Sequence, residues 1–156
     1  MGCAAQHDTQ STGGIVANAV SLPSVFGQMG EVKRMDPEIK AKWLEALRSG
    51  EFKQGQNVLR TAEDGYCCLG VLCELAVREG VIGDPKFQII DGSPSASGPS
   101  WEYDGLSVYP SDQVYEWAGM SSILVELNGR LLSLDYLNDA LRLPFSQIAD
   151  LIEEQL

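Results

Sequence analysis

The sequence predicts a small α+β domain, in which a short antiparallel sheet packs with about four to five helices. Short runs with strand character alternate with short helical runs, and none is arranged as a long βαβ unit. The clearest local signal is a β-hairpin. Residues 123–127 and 130–132 are apolar runs that flank Asn128-Gly129, and these two residues tolerate the positive φ angles of a type I′ turn.

The folded domain is expected to span residues 35–156. A chain of 156 residues is long enough for one hydrophobic core and too short for two ordinary domains. Residues 1–34 are rich in Gly, Ser, Ala and Thr and keep neither the helical nor the strand period for long. We therefore predict a flexible N-terminal extension followed by a single domain.

A strong helix start follows Met35. The Asp36 carboxylate can accept hydrogen bonds from free amides at the start of a helix, and Pro37 occupies a position where no N–H is needed. Gly50 can supply the left-handed residue that ends this helix. The buried face is predicted to carry Ile39, Trp43 and Leu47.

The middle of the chain predicts two strands around a central helix. Residues 57–60 and 87–90 have strand character. Residues 66–79 are apolar nearly all round, which is typical of a helix surrounded by other elements. Residues 91–100 (DGSPSASGPS) are polar and contain two prolines and two glycines, so they predict a mobile surface loop.

The last third predicts one further strand and three helical segments. Residues 106–109 have strand character, and Ser111 is placed to cap a short helix that ends at Gly119. Ser133 is placed to begin another short helix, and Pro144 to open the last one. The buried face of the last helix is predicted to carry Phe145, Ile148 and Ile152.

The charge excludes several classes of partner. The chain has 11 Lys and Arg against 22 Asp and Glu, a net charge of −11 that opposes binding to nucleic acids and to anionic membranes. No stretch approaches the roughly 20 apolar residues of a membrane-spanning helix, and the amino terminus lacks a secretory pattern. We therefore expect a cytoplasmic protein.

The acidic charge is concentrated in one half of the chain. Residues 101–156 contain ten Asp and Glu but only Arg130 and Arg142 as cations. This half either forms a solvated acidic face or binds a basic partner, in the second case also by imitating nucleic acid towards a protein that binds nucleic acid. Both interpretations remain open at the level of sequence.

No pattern in the sequence predicts a metal site, a cofactor or a catalytic residue. Cys67, Cys68 and Cys73 lack the usual C-x-x-C spacing, and the only histidine, His7, lies in the predicted extension. We expect buried, unreactive thiols. A P-loop, a G-x-G-x-x-G fingerprint and a G-x-S-x-G elbow are all absent from the sequence.

One set of residues suggests a binding site for a small nucleotide-like ligand. Aromatic rings give a base a stacking surface, and a neighbouring Arg or Lys gives a phosphate a charge partner. For Trp101 and Tyr103, which follow the predicted loop, an ordinary core position is about equally plausible. The candidate ligand-binding residues are Lys53, Gln54, Arg60, Tyr66, Trp101 and Tyr103.

Several segments resemble one known family. In chain order they are MDPEIKAKWLEALRSGEFKQG, Leu59-Arg60, YCCLGVLCELA, the region of Trp101, VYEWAG, LSLDYLND and FSQIADLIEEQL. Together they are similar to a family of small tailed-phage proteins, and the resemblance covers residues 35–156. The most specific segment is YCCLGVLC, at residues 66–73.

The resemblance implies a phage accessory protein that works in the cytoplasm of an infected bacterium. Our leading hypothesis is a non-catalytic counter-defence protein that sequesters a small nucleotide-like signalling ligand. The first alternative is an acidic inhibitor that binds a host defence protein, and the second is an enzyme of unknown type. A surface helix or an unpaired hairpin edge also offers a place for two copies to form a homo-oligomer.

Overall fold

The computed structural model describes residues 34–89 and 98–156. The predicted extension over residues 1–34 therefore lies, except for Arg34, outside the described residues. The predicted loop over 91–100 also lies outside them, except for its last three residues. Everything that follows concerns the described part of the chain.

Five helices and seven strands make up this part of the chain, which confirms the α+β class. The helices are α1 (Pro37–Arg48), α2 (Cys68–Arg78), α3 (Asp112–Ala118), α4 (Leu134–Asp139) and α5 (Phe145–Gln155). The strands are β1 (Lys53–Gln54), β2 (Arg60–Thr61), β3 (Gly65–Tyr66), β4 (Lys86–Gln88), β5 (Ser100–Glu102), β6 (Leu124–Leu127) and β7 (Arg130–Ser133). In the described residues, no helix combines the length and the apolar character needed to cross a membrane.

The larger sheet is mixed rather than wholly antiparallel. Its strand order is β1-β3-β2-β5-β4, and β1 pairs with β3 in parallel while the other pairs are antiparallel. Gly55, directly after β1, and Gly65 in β3 let the two backbones approach so closely that a Cβ on Gly55 would lie 2.8 Å from the Gly65 carbonyl carbon. The parallel pair thus depends on two glycines whose contact no local sequence pattern predicts.

The predicted hairpin is confirmed. Strands β6 and β7 pair from Leu124↔Ser133 to Leu127↔Arg130. The turn residues have positive φ, 54° at Asn128 and 76° at Gly129, as a type I′ turn requires.

The predicted start of the first helix is also confirmed. Asp36 Oδ1 accepts hydrogen bonds from the Glu38 and Ile39 amides at 2.9 and 3.1 Å. Gly50 follows the helix with φ of 77°. Trp43 on the inner face is fully buried, and its Nε1 donates to the Cys68 carbonyl at 3.0 Å, which ties α1 to the start of α2.

One predicted strand is observed at a single residue, and a second is not observed. Of residues 57–60 only Arg60 belongs to a strand, because Asn57 has a φ of 72° that breaks the extended backbone. Residues 106–109 form no strand, and Leu106 makes only an isolated bridge with Tyr103. The strand predicted over 87–90 is observed as β4, one residue earlier and shorter, and residue 90 is outside the described part.

The central helix lies in the middle of the core. It begins at Cys68 rather than at Tyr66, because Tyr66 belongs to β3. Cys67 occupies the N-cap, where its Sγ accepts from the Gly70 amide at 3.3 Å. A Cβ on Gly70 would collide with the Leu59 carbonyl oxygen, so α2 and the chain before β2 meet in backbone contact.

The two short C-terminal helices start where expected but without side-chain caps. Ser111 and Ser133 occupy the N-cap positions of α3 and α4, and neither side chain makes a capping hydrogen bond. Gly119 ends α3 in the left-handed conformation at φ of 68°. In α5 the buried residues are Phe145, Ile148, Ala149 and Ile152, as its apolar spacing predicts.

Candidate functional site

Three of the six predicted site residues come together on the larger sheet. Cross-strand pairing places Arg60 directly between Tyr66 of β3 and Trp101 of β5. The Arg60 guanidinium carbon lies 5.2 Å from the Tyr66 ring centroid and 4.4 Å from that of Trp101. Phe87 of β4 continues the series, with its ring centroid 5.3 Å from that of Trp101. We call these four residues, Tyr66, Arg60, Trp101 and Phe87, the arginine row.

Carboxylates surround the cation of the arginine row. Arg60 Nε and Nη2 donate to Asp64 Oδ1 at 3.0 and 2.8 Å, and Nη1 lies 4.0 Å from Glu74 Oε2. The Tyr103 hydroxyl donates to the same Glu74 oxygen at 2.9 Å. Two carboxylates against one guanidinium leave no uncompensated positive charge for a phosphate.

Tyr103 belongs to the core of this network. Its side chain is fully buried, and burial, followed by the nearby Glu74 carboxylate, raises the pKa of its hydroxyl far above the usual range. Tyr103 therefore stays protonated and serves as a hydrogen-bond donor to Glu74. For Trp101 and Tyr103, the sequence left a core position and a ligand contact equally plausible. The burial of Tyr103 makes it a core residue.

Trp101 and Phe87 form the exposed end of the arginine row. The Trp101 indole N–H is shielded from water and has no hydrogen-bond partner among the described residues. The Phe87 side chain is 43% exposed on β4. An aromatic surface is therefore accessible at this end, beyond the guanidinium and its carboxylates.

The other two predicted residues lie apart from the arginine row. Lys53 is exposed on β1, where it pairs with Gly65. Gln54 belongs to a separate hydrogen-bond network. Its Nε2 donates to Asn138 Oδ1 at 2.9 Å and to the Leu143 carbonyl at 2.8 Å. This amide holds β1 against the end of α4.

Asn138 is a structural residue that the sequence analysis did not identify. It is fully buried, and its Nδ2 donates to the Gly55 carbonyl at 2.8 Å while its Oδ1 accepts from Gln54. Its spacing from Leu134, four residues earlier on the inner face of α4, is the one local signal that pointed to a core position.

The three central cysteines are buried free thiols. Burial raises the pKa of Cys67 to about 12, and it also raises the pKa values of Cys68 and Cys73. A thiol held protonated is a poor nucleophile and a poor metal ligand. Within residues 34–89 and 98–156, no three His, Cys, Asp or Glu side chains are grouped as metal ligands.

An open pocket of about 240 Å³ lies elsewhere on the molecule. It is lined by Tyr115, Met120, Ser121, Ser122 and Ile123. None of the six predicted site residues belongs to this lining.

Four of the ten cations in the described residues form ion pairs: Arg60, described above, and three others. With their N···O distances, the pairs are Lys42 with Glu38 (3.3 Å) and Glu79 (2.7 Å), Arg48 with Asp150 (2.7 Å) and Glu153 (2.7 Å), and Arg78 with Glu51 (2.5 Å). Many exposed carboxylates, by contrast, make no ion pair with a described residue: Glu45, Glu63, Asp84, Asp104, Asp112, Glu116, Glu126 and Glu154. The surface charge is therefore dominated by unpaired acids.

Comparison with known proteins identifies the family of the domain. A family model described as a domain of unknown function, DUF8296, matches residues 35–156, and this range includes the arginine row and every helix and strand described above. Neither the curated proteins nor the solved structures yield a match. The phage origin implied by the resemblance stays a prediction. The chain belongs to the DUF8296 family.

Proposed function

We propose that the protein acts by binding a basic protein partner at its acidic surface and performs no catalysis. The observation that carries this proposal is the excess of exposed acids that make no ion pair in the described residues. The eight named above stand against the five exposed cations Arg34, Lys53, Lys86, Arg130 and Arg142. Arg48 and Lys42 each contact two carboxylates within the fold, whereas exposed acids such as Glu45 and Glu116 have no ion pair in the described residues.

Unpaired surface acids favour a basic partner for two physical reasons. A net charge of −11 produces a long-range field that speeds encounter with a positively charged surface. It also disfavours anionic partners, including nucleic acids, because like charges repel. In the setting that the phage resemblance implies, the partner is a host defence protein, which the acidic protein inhibits by occupying its surface.

Affinity isolation tests this function. The full-length protein is immobilised and exposed to bacterial lysate at about 50 mM and about 300 mM salt, because exposed charges are screened beyond roughly 10 Å at moderate ionic strength. We expect a basic protein that is retained at low salt and released at high salt. An unrelated globular protein of the same net charge is the control. If the control retains the same proteins, or if nothing specific is retained, the proposal fails.

A second candidate is a small nucleotide-like ligand, and the exposed end of the arginine row supports it. Phe87 offers an accessible ring, and the Trp101 indole N–H has no hydrogen-bond partner in residues 34–89 and 98–156. Asp64 and Glu74 oppose a phosphate near Arg60, so stacking rather than charge would hold the ligand.

Titration calorimetry against cyclic dinucleotides and molecules of the ADP-ribose type tests this second candidate. Binding that disappears in Phe87→Ser and persists in the matched Leu106→Ser supports it, since both side chains are exposed apolar groups. Absence of heat with every member of the panel rejects it.

A further inference from the structure

The two edges of the β6–β7 hairpin differ in whether their backbone groups form hydrogen bonds with the rest of the fold. At the β6 edge, the Glu126 amide donates to Gln155 Oε1 at 2.6 Å, and Gln155 Nε2 donates to the Glu126 carbonyl at 2.9 Å. The side-chain amide of Gln155 therefore occupies both backbone groups of Glu126, as a neighbouring strand would. This edge is closed to further pairing.

The β7 edge is open. In a hairpin with a two-residue turn, Leu127 and Arg130 exchange hydrogen bonds, and the alternation of an antiparallel ladder makes Leu131 point its N–H and C=O away from β6. No described residue forms a hydrogen bond with either backbone group of Leu131. Within the part of the chain that the structure describes, Leu131 thus has one unpaired backbone donor and one unpaired backbone acceptor at this edge.

The outer face of the hairpin adds apolar area and one negative charge. Val125 and Leu132 face the core, so Leu124, Glu126 and Leu131 lie on the opposite face. Leu131 is 65% exposed and Leu124 is 43% exposed. Glu126 is exposed directly opposite Leu131 in the register.

We propose that β7 accepts an extended segment of the basic partner as an added strand, and this inference rests on the proposed function. The backbone of Leu131 would supply the first hydrogen bonds of the new pair. An apolar side chain of the segment would cover Leu131, and a neighbouring Lys or Arg would reach over it towards Glu126, a distance of about two strand spacings, or roughly 10 Å.

Charge favours an extended segment of the basic partner over a second copy of the chain as the strand that pairs with β7. Pairing β7 with β7 of another copy would leave the two Glu126 carboxylates about three strand spacings apart, roughly 14 Å, so the main electrostatic cost is that of joining two chains of net charge −11 at low salt. A basic segment is attracted by Glu126 and by the net charge of the chain, against a local repulsion from Arg130, which is exposed at the start of β7. Sedimentation at low salt is therefore expected to show a monomer, and a stable dimer lost in Leu131→Thr would overturn the choice of occupant.

The first test uses an alternating Lys–Val peptide of about seven residues as the probe, since a strand of that length spans the edge. In amide NMR spectra of the full-length protein, we expect saturable shifts centred on Leu131 and slower hydrogen exchange of its N–H. An alternating Glu–Val peptide is the control and is expected to cause neither. Shifts absent with the Lys–Val peptide, or located away from β7, overturn the inference.

Matched variants separate docking at β7 from general attraction to an acidic protein. Leu131→Thr keeps strand propensity but removes apolar area, and we expect about tenfold weaker peptide binding, whereas Leu141→Thr is expected to bind as the wild type does. Glu126→Gln and Glu38→Gln remove the same charge at different places, and Glu38 is paired with Lys42 rather than being one of the unpaired acids. Only Glu126→Gln is expected to weaken binding, by about threefold. Equal effects within either pair contradict docking at β7.

The same variants distinguish failure of the inference from failure of the proposed function. If the basic protein captured from lysate binds Leu131→Thr as tightly as it binds the wild type, the proposed function stands and the β7 site is wrong. If the wild type captures no salt-sensitive basic protein, the proposed function itself fails.

Discussion

At the scale of single residues, side chains that could bind a ligand already form hydrogen bonds within the fold. Arg60, Gln54 and Tyr103 have the chemistry of ligand contacts, yet each is bonded to another residue of the fold. Residue type predicted that Arg60, Tyr66 and Trp101 would cluster. It did not predict the carboxylates beside them, because those positions are determined by strand register and by the packing of α2 on the sheet.

Gly70 provides a test of backbone contact at this scale. In Gly70→Ala the new Cβ would collide with the Leu59 carbonyl oxygen, and its nearest neighbours are backbone atoms of Leu59, which cannot rotate away. We expect a loss of about 3 kcal/mol or more in the free energy of unfolding, because overpacking that moves backbone is costly. Urea denaturation measures it. Gly83→Ala, where nothing lies within 4 Å, is the control and is expected to change stability little.

At the scale of secondary-structure elements, strong local sequence signals were sufficient to predict an element, and weak ones were not. The first helix and the hairpin followed from Asp36 and from Asn128-Gly129, because a cap and a type I′ turn are determined by a few adjacent residues. Strands β1 to β5 contain only two or three residues, too few to show a period of two. Their pairing is determined by distant contacts, so the parallel β1–β3 pair was not foreseen.

The cap of α1 is the clearest prediction for an element. Asp36→Ala removes the acceptor for the Glu38 and Ile39 amides, and we expect the free energy of unfolding to fall by about 1 kcal/mol. Ser111→Ala at the start of α3 is the comparison, since that hydroxyl makes no capping bond. Thermal unfolding in the two variants should differ. Equal losses would show that the Asp36 bonds do not stabilise the helix.

At the scale of the whole molecule, the interior carries buried titratable groups and the surface carries unpaired acids. The buried groups are three thiols and the Tyr103 hydroxyl, whose pKa values are all raised by burial. The surface acids include Glu116 and Glu126. The first set governs how stability depends on pH, and the second governs which partners the protein attracts.

Stability is predicted to fall at alkaline pH. Because the folded pKa of Cys67 is raised from 9.0 to about 12, the unfolded chain loses this proton first, so the stabilisation is complete below about pH 9 and is lost towards pH 12. Each such group contributes a slope of up to about 1.4 kcal/mol per pH unit. Urea denaturation at rising pH measures the slope, and Cys73→Ala should make it shallower. A flat profile above pH 9 would contradict thiol burial.

The central claim, recognition of a basic partner by unpaired surface acids, is tested most directly by titration calorimetry with the captured partner. The wild type is compared with the triple variant Glu45→Gln, Asp104→Asn, Glu116→Gln, which neutralises three exposed acids that make no ion pair in the described residues. We expect weaker binding by the variant and a shallower loss of affinity with added salt. Equal affinity for both proteins at every salt concentration would contradict the central claim.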